Sequence, residues 1–300
     1  MSKKTQCLSS GTYRARKIEK IKVITELRHK YPLNDLMSFF GIARSTYYYY
    51  LKEKQDKYEV EKQEILNIFT SSKNTYGYRR ITLELRQKGY IINHKTVLKL
   101  MNSLGLKGKQ RKNGKYHSYK GEVGKVADNL LNRDFSAIKP FEKITTDVTQ
   151  FNVCDEKVYL SPVLDLFNNE IVSYSISTSP NLEQVREMLN DLFEKLPDDA
   201  TPIFHSDQGW QYQHAEYQRL LAEHNIIQSM SRKGNCMDNG AMENFFGRLK
   251  VEMFYGEKFE SVNAFIDELK KYIYYYNNER ISLKLKGMSP VQYRTHSLTI

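Results

Sequence analysis

Hydrophobic positions recur along this chain with two different periods, and the change of period divides it. Across residues 14–30, Ile18, Ile21, Ile24 and Leu27 fall three apart, which predicts an amphipathic helix stopped by Pro32. Leu36-Met37-Ser38-Phe39-Phe40 predicts a second helix, capped by Asn34 or Asp35 and broken by Gly41, and Arg44 through Leu51 a third. Helix, glycine turn, helix within about 20 residues is a helix-turn-helix pattern. Arg44, Ser45 and Tyr48 stand near the start of its second helix, where such motifs meet base edges and phosphates. An ordinary helical hairpin is the plainer alternative.

A similar unit follows. Tyr76-Gly77-Tyr78-Arg79-Arg80 opens a helix with Ile81, Leu83 and Leu85, Lys88-Gly89-Tyr90 turns the chain, and Asn93 is placed to cap a helix whose core side is Val97, Leu98 and Met101. Arg79, Arg80, Lys95 and Lys99 make it basic, so it reads as a second DNA-contacting pair or as a packing module. Residues 107–125 hold seven lysines and arginines among four glycines and show no period, which predicts a flexible basic linker able to track a phosphate backbone.

From Phe135 the period shortens. A stretch Lys143–Thr149 reads as one strand, residues 158–164 and 171–176 as two more joined at Asn168-Asn169, and Pro202-Ile203-Phe204 as a short buried strand entering His205-Ser206-Asp207. Helices are predicted over 182–196, 214–224 and 238–254, with a strand at Ile226-Ile227. Strands first, then strand and helix in alternation, predict an α/β fold: a mixed sheet flanked by helices, preceded by all-α modules. The expected divisions are 1–56, 57–106, 107–134 and 135–300.

Charge sharpens that division. Net charge is +11, but residues 1–134 hold 29 Lys and Arg against 12 Asp and Glu, while residues 135–300 hold 17 against 23. A basic front and an acidic back suggest a DNA-gripping region joined to a cation-binding domain. With 40% hydrophobic and 27% charged residues the composition is that of a soluble globular protein. No apolar run approaches the roughly 18 residues of a membrane span, and Met1-Ser2-Lys3-Lys4-Thr5 opens no signal core, so a cytoplasmic location is expected. Cys7, Cys154 and Cys236 form no CxxC pair, which argues against disulfides and structural zinc.

The acidic half contains the candidate chemistry. Asp147 lies in the first strand, Asp207 at the end of a later strand opening into Gln208-Gly209, and Glu243 one turn into the helix that begins at Asp238. Three carboxylates on separate elements can hold two Mg²⁺ or Mn²⁺ ions side by side, a pair suited to breaking and joining phosphodiester bonds. Lys250 follows Glu243 by seven residues, about 20° round the helix and about 10 Å along it, so it could grip DNA beside the scissile phosphate. Arg248 faces elsewhere and reads as plain surface. Asp165 reads as site support or a strand end, and His205 equally as a substrate contact or a hydrogen-bonded strand-end residue. Asn235, Asp238 and Asn239 read as caps of the catalytic helix before lining of a DNA groove, and Tyr272, Tyr274, Tyr275 and Tyr276 as packing before base stacking.

The segments TTDVTQF, HSDQGWQY, SRKGNCMDNGAMENFFGRLKVE and YYNNERISLKLKGMSPVQYR, with STYYYY, TYGYRRI and INHKTVLKLM ahead of them, closely resemble bacterial insertion-sequence transposases of the OrfB type. The resemblance covers nearly the whole chain. It implies a retroviral-integrase-like, ribonuclease-H-like (DDE) core, with Asp147, Asp207 and Glu243 as the metal-binding triad and Lys250 as the basic residue seven after the glutamate. It also implies DNA strand cleavage and transfer at transposon ends, usually with an OrfA-type partner or as a fusion to it. Two joined ends call for at least a homodimer. Many members have Trp at Ile144 and His at Ser282, neither within the triad. Two other readings compete: a DNA-binding regulator with an inactive core, and a nuclease of the same fold that does not join strands.

Overall fold

The structure, a computed structural model, describes residues 13–51, 57–109, 126–233 and 235–298. They form two compact units divided after Gln63. Among the described residues no helix is long and apolar enough to cross a membrane.

The first unit packs α1 (Tyr13–Leu27), α2 (Leu33–Phe40) and α3 (Arg44–Leu51) around Ile21, Ile24, Leu36, Met37, Phe40, Ile42 and Tyr47. Ile18, counted on the apolar stripe, lies at its exposed margin. Gly41 ends α2 at φ 61°, a left-handed conformation that glycine adopts without a Cβ penalty. The start of α2 differs from expectation. It begins at Leu33 behind Pro32, whose φ of −59° already suits a helix entry, so Asn34 and Asp35 fall inside the first turn and cap nothing. Asp35 there still favours the positive helix end.

The second unit opens with α4 (Glu59–Ser71), which the apolar pattern did not reveal, then α5 (Tyr78–Gln87) and α6 (His94–Ser103). Asn93 caps α6 as expected, its side chain accepting from the Lys95 N–H. The buried side of α6 is Val97, Leu100 and Met101; Leu98 is turned outward. Most of the expected basic linker, 110–125, lies outside the described residues. Residues 126–134, assigned to that linker, instead run along the sheet: Met230 N–H donates to the Asp128 carbonyl, and Leu131 is buried in the core.

Six strands make one sheet: β1 (Lys143–Thr146), β2 (Thr149–Val153), β3 (Glu156–Asp165), β4 (Ile171–Ser177), β5 (Ile203–Ser206) and β6 (Ile227–Met230). The stretch read as one strand is therefore two, broken at Asp147-Val148, and Asp147 lies just past β1 instead of inside it. β1 and β2 pair antiparallel with successive parts of β3, β4 pairs with its other side, and β5 and β6 continue parallel from β1. One face is covered by α7 (Leu182–Phe193) and α8 (Ala215–Glu223) through Val185, Met188, Leu189, Tyr217 and Leu221. The other is covered by α9 (Gly240–Leu249) and α10 (Val262–Asn278) through Met242, Phe245, Phe265 and Leu269. Each such apolar side chain contributes about 1.5–3 kcal/mol on burial. A final helix, α11 (Pro290–Leu298), follows. The helix expected over 238–254 starts with a short 3-10 turn at Cys236–Asn239 and ends in a π-helical turn at Lys250–Phe254.

Candidate active site

Parallel pairing of β1 with β5 aligns Thr145 with His205. Asp147 and Asp207 each directly follow the last residue of these two neighbouring strands, close enough for the Asp207 charge to act on Asp147. Such carboxyl ends of strands are where open α/β sheets bind ligands. Each carboxylate keeps one backbone donor: Val148 N–H to Asp147 Oδ1 at 2.7 Å, and Gly209 N–H to Asp207 Oδ1 at 2.8 Å. A Cβ on Gly209 would fall 2.6 Å from Gln211 Nε2 and 2.9 Å from that same Asp207 oxygen, so a larger residue there would displace both side chains.

The pair is short of positive charge. Burial, then the neighbouring Asp207 charge, pushes Asp147 well above the usual carboxylate range; Val148 N–H opposes this, Glu243 adds to it and Lys250 opposes it. Asp207 is raised too, by burial against its Gly209 hydrogen bond. Burial lowers Lys250, with the Asp147 charge opposing, and its Nζ lies 5.4 Å from the Phe151 ring centroid. The structure thus brings Asp147, Asp207, Glu243 and Lys250 into one electrostatic neighbourhood. Among the described residues no three acidic, histidine or cysteine side chains stand close enough to form a complete ligand set. The donor set is oxygen alone, and two adjacent under-neutralised carboxylates are what a hard divalent cation would relieve, so the residues fit Mg²⁺ or Mn²⁺.

What joins α9 to the sheet is Asn239. Its Oδ1 accepts from Thr145 Oγ1 at 2.6 Å and its Nδ2 donates to the Thr146 carbonyl at 2.9 Å. It makes no side-chain cap to α9, and Asp238 makes none either; the capping role expected for them is not found. Asp238 instead gathers donors from Arg232, Arg133 and Asn129, and the Arg232 hydrogen bond foremost holds it far below the usual range. Asn235 accepts from Arg133. Asn239 thereby fixes the turn before Glu243 onto the end of β1, next to Asp147.

Residues 137–236 and 243–298 each match a family model described as an integrase core domain, and residues 55–114 one described as an HTH-like domain. InsK of insertion sequence element IS150 from Escherichia coli (strain K12) is 51% identical over 279 residues, covering 92% of this chain and 98% of InsK. The transposase InsF for insertion sequence IS3A from the same organism is 35% identical over 235 residues, covering 78% of this chain and 82% of InsF. The chain belongs to the insertion-sequence transposases. Among solved structures, the catalytic core domain of HTLV-2 integrase in complex with magnesium (trimeric form) is 15% identical, with a TM-score of 0.39 over 52% of this chain and 98% of that one. That likeness is too distant to carry an argument.

This transposase is a polynucleotidyl transferase with an integrase core preceded by an HTH-like domain. The other residues picked out from the sequence fall in three groups. Arg44, Ser45 and Tyr48 share the exposed side of α3, the Arg44 guanidinium 5.9 Å from the Tyr48 ring. Arg79 and Lys95 are also exposed, but Arg80 turns inward to Glu252. His205 is buried between the Ser229 and Ser231 hydroxyls, and burial pushes it down to about 4, so it supports the sheet. Asp165 accepts from the Phe141 and Phe167 N–H groups and is likewise structural. Of the four tyrosines, Tyr272 and Tyr276 are core while Tyr274 is exposed. Tyr212, not singled out from sequence although it closes the HSDQGWQY segment, lies fully buried near both aspartates, and its phenol is held protonated by burial and by their charges.

Proposed function

We propose that this transposase cuts and joins the ends of its own insertion sequence by in-line phosphoryl transfer, with Asp147, Asp207 and Glu243 holding two divalent ions, Mg²⁺ or Mn²⁺. The observation that carries this is the Asp147–Asp207 juxtaposition at the ends of two parallel strands, with both carboxyls raised. When bound, the ions activate the attacking oxygen and stabilise the leaving 3′ oxygen. The chain's own part is to supply ionised oxygens at fixed spacing, to orient them through Val148, Gly209 and Asn239, and to grip the flanking strand with Lys250. Arg44, Ser45 and Tyr48 read the terminal repeat, and Arg79 and Lys95 hold phosphates beside it. Two ends must meet, so the active form is at least a dimer, acting with an OrfA-type partner or as a fusion to one. The inverted repeats bordering the reading frame are its DNA.

Glu243→Gln tests the assignment. It should reduce strand transfer by at least about a thousandfold while end binding persists; loss of both together would count against separate roles. Nicked but never joined DNA from the unaltered chain would make it a nuclease. Inertness on matched ends with Mn²⁺ present would make it a DNA-binding regulator.

A further inference from the structure

Within the second unit, the α4–α6 module and the catalytic domain enclose a cavity of about 330 Å³ faced by Arg80, Lys109, Arg248 and Arg280. Its one carboxylate, Glu252, is already committed. Arg280 Nη2 and Nε donate to Glu252 at 2.6 and 2.8 Å, and the Tyr272 hydroxyl donates at 2.9 Å. Arg80 Nη1 is left 3.6 Å from Glu252 Oε1, beyond hydrogen-bond range, with its guanidinium 5.1 Å from the Tyr76 ring centroid. Lys109 Nζ reaches Glu257 at 3.0 Å and the Glu252 carbonyl at 3.3 Å. Burial, then the Arg280 charge, presses the Arg80 pKa down, with the Glu252 charge opposing.

The cavity also has a telling position. Asn244, Gly247 and Arg248 line it from α9. At 100° per residue Gly247 lies about 40° round from Glu243, Asn244 about 100° and Arg248 about 140°. The recess therefore begins beside the Glu243–Lys250 face at Gly247 and runs away from it towards Arg248. Arg248, read from sequence as plain surface, is part of its wall.

We propose that this recess binds a backbone phosphate of the DNA strand flanking the scissile bond, with Arg80 and Arg248 as the donors. This rests on the reading of Asp147, Asp207 and Glu243 as the site of strand transfer. A guanidinium fork matches a phosphate in two parallel hydrogen bonds, which a water or a halide cannot accept. The bound phosphate would join the helical module to the catalytic helix, so that DNA itself completes the contact left open at Arg80.

The test is fluorescence anisotropy of the full chain on a labelled duplex carrying its terminal repeat, titrated with KCl. Arg80→Gln and Arg248→Gln should each weaken binding about tenfold and lower the slope of log K against log salt by about 0.9, the share of one phosphate. A single neutral methylphosphonate in the flanking strand should do the same to the unaltered chain and add nothing to Arg80→Gln. Unchanged slopes in both variants, or additive losses, overturn the proposal. Glu252→Gln is the structural control. Should Arg80→Gln lower the melting temperature as Glu252→Gln does and leave the slope intact, Arg80 is a tie between modules and the proposal fails. Failure of the unaltered chain to bind at all sinks the parent reading as well; normal binding with unchanged slopes sinks this inference alone.

Discussion

Two kinds of buried carboxylate coexist in this fold, and they are treated in opposite ways. Glu252 receives two Arg280 hydrogen bonds and one from Tyr272, and it is held ionised below the usual range despite the burial that opposes this. Asp238 is similarly surrounded by Arg232, Arg133 and Asn129. Asp147 and Asp207 sit side by side with one backbone N–H each, and both are raised. The first pair is neutralised by the protein and locks its own neighbourhood. The second is left for something else to neutralise, at a cost to the apo fold. Saturated carboxylates mark architecture here, and starved ones are where the proposed chemistry lies.

Replacing one starved group should separate activity from stability most widely. Asp207→Asn keeps the Oδ1 acceptor for Gly209 but removes a charge; strand transfer should fall by at least about a thousandfold while the metal-free melting temperature rises. A fall in melting temperature would break the contrast. Replacing a saturated group should do the reverse. Glu252→Gln leaves Arg280, 2% exposed, without its anion and should cost about 3–5 kcal/mol in urea unfolding. A loss under about 1 kcal/mol would show that the pair locks nothing.

Asp165 lies between the two kinds and gives the smallest effect. It has two backbone donors, yet burial pushes it up from 3.8 to about 6. The folded state therefore holds this proton more tightly than the unfolded chain. Its contribution is fully present below about 3.8 and is lost as pH rises through about 6. Unfolding of the unaltered chain minus Asp165→Asn, followed over that window, should show a difference of about 3 kcal/mol; a difference that grew in the opposite direction, with stability rising with pH, would place Asp165 with Glu252.

The family was legible because Asp147, Asp207 and Glu243 each sit in a distinctive local segment, and five of the first six helices because their apolar spacing is regular. Most of what was missed depends on neighbours distant in sequence. Nothing near Asn239 says that it reaches Thr145 and Thr146 across the fold; asparagine before a helix looks like a cap, and only the sheet supplies its other partners. Arg79 and Arg80 are adjacent and alike, yet one faces solvent and the other Glu252, a difference of a single 100° step on α5. Leu98 and Leu100, two steps and about 200° apart on α6, are likewise divided, one exposed and one buried. The break at Asp147 was hidden because Thr, Val and Thr on either side all favour strand, while register with β3 decides where pairing stops.

The π turn after α9 has a consequence for anyone moving this segment. Tyr255 N–H donates to the Lys250 carbonyl, five residues back, at 2.7 Å. Such a turn is what one inserted residue leaves in a helix whose two ends stay put. Up to Lys250 the phase is set by the sheet; from Glu252 it is set by Arg280. Deleting one residue between them would leave Glu243 in place and swing Glu252 by about 100° away from its partner. A transplant that copies the composition of 240–254 onto a straight helix would therefore carry Glu243 and lose its foundation.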